Sequence, residues 1–84
     1  MTSFVVNSDI PANMKSGIEV WIKGVPTLLR NEGITNVRLR TAYCCTPDSK
    51  IIAEFEGPDK ETLRSALNKI KMPFTAVMEA TKVE

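Results

Sequence analysis

Two arginines and two glutamates alternate along two neighbouring segments of this 84-residue chain. Arg38 and Arg40 are two residues apart, and so are Glu54 and Glu56. Because side chains alternate along an extended strand, each pair is expected to lie on one face of its strand. Guanidinium groups bind carboxylates and phosphates through paired hydrogen bonds, so the cluster could hold a small polar ligand. The same four residues could instead form cross-strand ion pairs on an exposed sheet face, where each pair contributes little to stability.

The two glutamates could also act as a pair. Glu54 and Glu56 are about 7 Å apart along a strand, a spacing at which two carboxylates can divide acid and base roles or bind a hard cation. Arginines next to them would keep both carboxylates ionised and make them poor proton donors. We therefore assign no catalytic residue to this pair.

The adjacent cysteines, Cys44 and Cys45, are the other chemically active group. A reactive thiol needs a cation, a metal or a helix N-terminus nearby. Alternation predicts that Cys44 lies on the same face as Arg38 and Arg40 and that Cys45 faces the core as a small apolar side chain. With no histidine and no Cys-x-x-Cys spacing in the chain, the sequence predicts neither a metal site nor a cofactor. The candidate ligand or interface face is thus Arg38, Arg40, Glu54, Glu56 and Cys44.

Length and charge limit the classes of function. Residues 1–84 fit a single domain, and a chain of this size has a small core, so we expect a homo-oligomer, with a dimer as the simplest form. The chain carries 11 Lys and Arg against 10 Asp and Glu, a balance that favours neither nucleic acid nor an anionic membrane as partner. The sequence shows neither a secretory signal nor an apolar run long enough to cross a bilayer. We expect a cytoplasmic protein with reduced thiols.

The order of apolar periods predicts a β-α-β-β-α-β chain. The first helix has an apolar residue every three or four positions and is expected to be interrupted near Gly24 and Pro26. Ser8 and Asp9 are expected to cap it, and Gly33 to end it in a left-handed conformation. The predicted strands are residues 3–7, 35–45, 50–56 and 74–83. The first helix is expected to end at residues 32–33, and the second to start at residues 57–59, with Pro58 and Asp59 in its first turn, and to stop at Pro73.

The register of the central hairpin follows from its apolar pattern. Pairing Cys45 with Lys50 across a four-residue turn would place polar side chains opposite apolar ones. Pairing Thr46 with Lys50 sets Tyr43 opposite Ala53 and Arg40 opposite Glu56, so that like faces agree. We predict this register, or one in which a bulge gives the same parity.

Two right-handed β-α-β units of this kind give an α+β, ferredoxin-like βαββαβ plait. It is a four-stranded antiparallel sheet in the order 4-1-3-2 with both helices on one face. The helix-covered face is expected to hold Phe4, Val6, Leu39, Tyr43, Ile51, Ala53 and Phe55, and the open face Val5, Asn7, Arg38, Arg40, Ile52, Glu54 and Glu56. An RNA-recognition plait exposes aromatic rings on its open face, and the predicted open face has none.

Several small families with this plait resemble the chain. Residues 31–37 (NEGITNV) and 55–58 (FEGP) are similar to the second half of ACT domains, which are small-ligand regulatory modules. Residues 9–12 (DIPA) fall where those domains often carry Asp-x-Pro-Gly, and Ala12 replaces the glycine. The layout, with residues 72–74 (MPF) before the closing strand, also resembles dimeric α+β barrel proteins and a small nickel-binding-like relative. Those relatives bind metal through histidines. This chain has no histidine, so the resemblance does not imply metal binding.

These observations support three hypotheses about function. The first is a non-catalytic domain that self-associates and binds a small polar ligand. The second is a small cofactor-free enzyme of the dimeric α+β barrel type, an isomerase or oxygenase. That enzyme would need a pocket between helices and sheet with Tyr43, Arg40 or Glu54 directed into it. The third is an interaction subunit of a larger assembly. The absence of a recognisable catalytic set favours the first.

Overall fold

Residues 1–81 and 83 are described by the computed structural model, which has an α+β fold. Four antiparallel strands form one sheet in the order β2-β3-β1-β4, as the sequence predicts. Three α-helices are present where the sequence predicts two, because the first predicted helix is divided. The elements are β1 (Thr2–Asp9), α1 (Ile18–Lys23), α2 (Val25–Asn31), β2 (Arg38–Cys45), β3 (Lys50–Gly57), α3 (Lys60–Lys69) and β4 (Ala76–Ala80).

The two central strands supply the middle of the core. Phe4 and Val6 of β1 and Phe55 of β3 are almost fully buried and face the helices, as their alternation predicts. Leu63 and Leu67 of α3 pack into the same cluster. Ser8, also on the buried face of β1, is polar, and its hydroxyl has no hydrogen-bond partner among the described residues. The molecule measures 33 × 32 × 19 Å, and its short dimension fits one sheet and one layer of helices.

The first helical region begins later than predicted and is broken at Gly24. Ser8 and Asp9 do not cap a helix, because β1 continues through both residues and Asp9 forms an ion pair with Lys50. A short 3₁₀ turn at Ala12–Met14 precedes α1. The Gly24 N–H donates to the carbonyls of Val20 and Trp21, which closes α1, and the next residue starts α2. The break lies just before Pro26, which is in the first turn of α2 and cannot donate a backbone hydrogen bond.

The second predicted helix starts and ends with specific caps. The Asp59 carboxylate accepts a hydrogen bond from the Thr62 N–H at 2.7 Å, and this bond lowers the pKa of Asp59. At the other end, the N–H of Lys71 donates to the Asn68 carbonyl and that of Met72 to the Leu67 carbonyl, which is a Schellman motif. Lys71 has φ 60°, a left-handed conformation. The end of α2 has the same pair of bonds around Gly33, whose φ of 71° confirms the predicted cap.

The hairpin of β2 and β3 corrects the predicted register. Cys45 pairs with Lys50, the register that the apolar pattern disfavours, across a 3₁₀ turn at Thr46–Asp48 that ends at Ser49 with φ 54°. A bulge between Leu39 and Thr41 shifts the pairing by one residue. Leu39 therefore pairs with Phe55, and apolar side chains again lie opposite apolar ones. Residues of β2 that precede the bulge therefore lie on the predicted faces of the sheet, and residues that follow it lie on the opposite faces.

The five residues of β2 that follow the bulge therefore lie on the opposite face of the sheet from the one predicted. Tyr43, expected in the core, is 64% exposed and pairs with Ile52 on the open face. Thr41 pairs with Glu54 on that face. Ala42 and Cys44, expected on the open face, pack against the core instead. Cys45, expected to face the core, pairs with the exposed Lys50.

The last strand is shorter than predicted. β4 covers Ala76–Ala80, whereas the apolar pattern predicted residues 74–83, a range that includes Lys82, which lies outside the described residues. Phe74 packs against the core from the preceding loop. The Thr75 N–H and hydroxyl both donate to the Asn7 carbonyl, at 2.7 and 3.1 Å, and fix the point where β4 joins β1. Over the described residues, every helix is too short to span the apolar layer of a membrane.

Candidate functional site

The face of the sheet away from the helices carries most of the predicted site. The pairing places side chains in rows across all four strands. One row contains Tyr43, Ile52, Asn7 and Ala76, and the next contains Thr41, Glu54, Val5 and Met78. A third row contains Arg38, Glu56, Ser3 and Ala80. We call these residues, together with Arg40, the open face.

Arg40 and Glu56 form an ion pair on this face. Arg40 occupies the bulge of β2, and its Nη1 lies 3.2 Å from Oε1 of Glu56. The backbone partner of Glu56 is Arg38, but among the described residues only Arg40 lies within ion-pair distance of the Glu56 carboxylate. The side chain of Glu56 is only 20% exposed, and that of Arg40 is 50% exposed. The predicted ion pair is thus present, although the bulge and not the predicted register produces it.

Arg38 is the unpaired cation of the cluster. Among residues 1–81 and 83, Arg38 has no acidic group within ion-pair distance, and its side chain is exposed. A planar guanidinium with free donors can bind a carboxylate or a phosphate through two hydrogen bonds. Arg38 is therefore the residue of the cluster that is free to bind an anion.

A depression lies on the open face between β2 and the end of β4. Its volume is about 470 Å³, and it contains Arg40 and Glu54 from the predicted site. The hydroxyl groups of Ser3, Thr41 and Thr81 also line it. A cation, a carboxylate and several hydroxyls in one depression can hydrogen-bond to a small molecule that carries both donors and acceptors.

Cys44 does not belong to this site. It pairs with the buried Ile51 and faces the helix side of the sheet, in a groove between β2 and α1 that also contains Glu19. Burial raises the pKa of the Cys44 thiol, and the nearby Glu19 carboxylate and Cys45 raise it further. A thiol in these surroundings is protonated at neutral pH and is a weak nucleophile. The bulge places Cys44 on the opposite face of the sheet from Arg38, while Arg40 lines both this groove and the open-face depression.

Sequence alternation identified only part of the apolar surface of the open face. Tyr43, Ile52 and Met78 are three of the six large apolar side chains that are most exposed among the described residues. Ile52 was predicted on this face, Met78 was not assigned, and Tyr43 was assigned to the core. The disagreement between a Cys45–Lys50 pairing and the apolar pattern was the available signal, because a bulge resolves it and exposes Tyr43.

The enzyme hypothesis requires a pocket between helices and sheet with Tyr43, Arg40 or Glu54 directed into it. Tyr43 and Glu54 lie on the open face, and Arg40 lines both the open-face depression and the groove between α1 and β2. The space between helices and sheet holds Phe55 and Leu67, which are fully buried. Within residues 1–81 and 83, acidic and cysteine side chains form no group of three that could hold a metal ion.

Comparison with known proteins shows the fold of this chain and nothing more specific. No family model and no curated protein sequence matches the chain. Among solved structures, it is similar to SCO4226 from Streptomyces coelicolor A3(2), with a TM-score of 0.73. The similarity covers 98% of this chain and 99% of that one, at 14% sequence identity. The small α+β plait is therefore a fold already observed in another protein.

Proposed function

We propose that this chain is a non-catalytic domain that forms a homodimer through the open face of its sheet. The observation that carries the proposal is the exposure of Tyr43, Ile52 and Met78 on a face without helices. Tyr43 and Ile52 pair directly, as do Val5 and Met78, so the apolar side chains form two patches on neighbouring strands. Contiguous apolar patches on a protein surface mark interaction sites.

The size of the open face is consistent with a small dimer interface. Three strands of eight residues and one of five, at ~3.3 Å per residue and ~4.8 Å between strands, give a flat area of roughly 460 Å². This area is below the ~800 Å² per partner of a standard interface, so the open face suits a small interface. A twofold dimer places the same face of both copies in contact, so one interface buries the apolar residues of both. We therefore infer a second copy of the chain as the partner.

A small polar ligand is the second part of the proposal. The depression of about 470 Å³ with Arg40 and Glu54 supports it. Arg38, which forms no ion pair among the described residues, does not line the depression but lies in the same row as Ser3 and Ala80, which do. The ligand class is a small molecule with an anionic group for Arg38 and hydroxyl or amino groups for the depression. Thermal stabilisation by a set of such compounds tests this part, and Arg38→Gln is expected to reduce the stabilisation.

The proposed cell compartment follows from the cysteines. Cys44 and Cys45 are free and half-buried, a state that suits a reducing cytoplasm.

Nothing in the arrangement of the described side chains favours the isomerase or oxygenase hypothesis over the non-catalytic one.

Self-association is tested by the molar mass in solution. Light scattering or sedimentation from ~1 µM to ~1 mM covers about 4 kcal/mol of association free energy. We expect the wild type to be a dimer at the upper end of this range. Ile52→Lys places a charge in the apolar patch and is expected to shift the protein to monomer.

The matched control is Val20→Lys. Val20 is 76% exposed on α1, away from the open face, so the same change in charge is expected to leave the dimer intact. Far-UV circular dichroism establishes that both variants are folded. A wild type that stays monomeric at the highest concentration, or a Val20→Lys variant that dissociates as readily as Ile52→Lys, would contradict the proposal.

A further inference from the structure

A second concave site lies on the helix side of the molecule, away from the open face. It is a cavity of about 240 Å³ between the first helical region, α2 and the loop that follows α3. Nine of its ten lining residues are apolar, and the tenth is Lys71. Met14, Trp21, Leu28 and Met72 are among the apolar lining residues.

The volume and lining of the cavity decide what it can bind. Apolar cavities of about 150 Å³ in proteins stay dry and bind benzene. A cavity of 240 Å³ with the same kind of lining suits one substituted aromatic ring, and it is smaller than the ~300 Å³ at which sites for larger ligands begin. Two methionines and a tryptophan in the wall provide polarisable contacts for a ring.

Lys71 adds a charge requirement to the site. Its side chain is exposed, and it is the charged residue of the lining. The residue also holds φ 60° at the end of α3, a conformation that glycine adopts without cost and lysine does not. An ammonium group beside an apolar cavity favours a ligand with a negative group attached to its ring.

We propose that this cavity is a binding site for a single-ring aromatic carboxylate, with the ring among Met14, Trp21, Leu28 and Met72 and the carboxylate beside Lys71. The site is separate from the open face, so it does not depend on dimer formation. Ligand binding without a dimer, or a dimer without ligand binding, would each leave the other proposal standing.

Trp21 provides the measurement, because it is the single tryptophan of the chain and it lines the cavity. Phenylacetate is the probe, with phenylacetamide as its neutral analogue and phenethylamine as a cationic one. We expect saturable change of Trp21 fluorescence with phenylacetate, and binding of phenylacetamide that is roughly threefold to fivefold weaker, as for a partly exposed ion pair. Phenethylamine is expected to bind more weakly still.

Two variants separate the roles of ring and charge. Leu28→Phe adds volume inside the cavity and is expected to weaken both phenylacetate and phenylacetamide by at least about tenfold. Lys71→Gln is expected to remove the preference for phenylacetate over phenylacetamide while both still bind. Lys69→Gln is the matched control, because Lys69 carries the same charge at the end of α3 and does not line the cavity.

Three results would overturn the proposal. They are no saturable fluorescence change with phenylacetate up to ~10 mM, equal binding of phenylacetate and phenethylamine, or loss of the charge preference in Lys69→Gln as well as in Lys71→Gln. Two-dimensional amide NMR spectra keep the test decisive if Leu28→Phe fails to fold. In the wild type, the ligand must then shift the amides of Trp21, Leu28 and Met72 more than those of Tyr43 and Ile52.

Discussion

Cys44 illustrates how one inserted residue determines the chemistry of a side chain. The bulge at Arg40 turns Cys44 from the open face into the groove beside α1. In that groove the thiol loses solvent and gains the Glu19 carboxylate as a neighbour, and both effects raise its pKa. A raised pKa leaves less thiolate at neutral pH, so Cys44 reacts less readily than an unburied cysteine.

The prediction at this scale concerns the rate at which Cys44 is alkylated. In a Cys45→Ala variant, Cys44 is expected to react with iodoacetamide at pH 7 more slowly than free cysteine, and to accelerate as the pH rises toward its raised pKa. Adding Glu19→Gln removes a negative charge and is expected to increase the rate at pH 7. A Cys44 that reacts as fast as free cysteine, or a rate unchanged by Glu19→Gln, would disprove this account.

Individual side chains also show what sequence reasoning could and could not predict. Phe4, Val6 and Phe55 are buried as their alternation predicts, because β1 and β3 are regular strands in the centre of the sheet. The predicted faces of Tyr43 and Cys44 are wrong because alternation assumes an uninterrupted strand, and the bulge adds one residue before them. The Arg40–Glu56 pair was predicted from a register that the structure does not have, and it forms because the bulge at Arg40 brings its side chain to Glu56.

Among the elements, the two Schellman motifs allow an internal comparison. The ends of α2 and α3 have the same hydrogen bonds, and the left-handed position is Gly33 in one and Lys71 in the other. Side chains with a Cβ carry a conformational cost in the left-handed region that glycine avoids. The two positions are therefore expected to respond oppositely to the same type of exchange.

The prediction for the helix ends is a pair of opposite changes in stability. Lys71→Gly is expected to raise the free energy of unfolding by about 0.5–1 kcal/mol, and Gly33→Lys to lower it by about 1–2 kcal/mol. A Cβ at Gly33 would contact nothing within 4 Å, so the loss is conformational and not steric. Urea denaturation measures both, and a destabilised Lys71→Gly or a neutral Gly33→Lys would contradict the comparison.

Element boundaries were less predictable than element types. The glycine at Gly33 is a local signal for a helix end and was predicted correctly, whereas Asp59, expected in the first turn of its helix, is the N-cap. Ser8 and Asp9 carry an equally good local signal for a helix start, but the tertiary pairing of β1 with β3 extends the strand through them. A local cap preference of about 1 kcal/mol is smaller than the contribution of several strand pairs.

For the whole molecule, the small size of the core connects stability with self-association. Two layers across a thickness of 19 Å leave one side of the sheet without cover. A partner that binds only the folded state stabilises it in proportion to the logarithm of its concentration. If a second copy covers the open face, the stability of this protein depends on its own concentration.

The corresponding prediction is a melting temperature that rises with protein concentration. Between ~1 µM and ~100 µM, the wild type and Val20→Lys are expected to show this rise, because dissociation accompanies unfolding. Ile52→Lys is expected to melt at one temperature over the same range. Differential scanning calorimetry makes the measurement, and a wild type whose melting temperature is independent of concentration would contradict the dimer.

The pairing of Ser3 with Ala80 has a consequence for protein engineering. The first and last strands are neighbours, so the backbone at the two outer ends of the described fold is separated by about one strand spacing, ~4.8 Å. Domains fused before Thr2 and after Ala80 would therefore extend from the same end of the sheet, next to each other. A short flexible peptide could also join these points into a ring, with new ends opened in the exposed turn at Thr46–Asp48 and every strand pair retained.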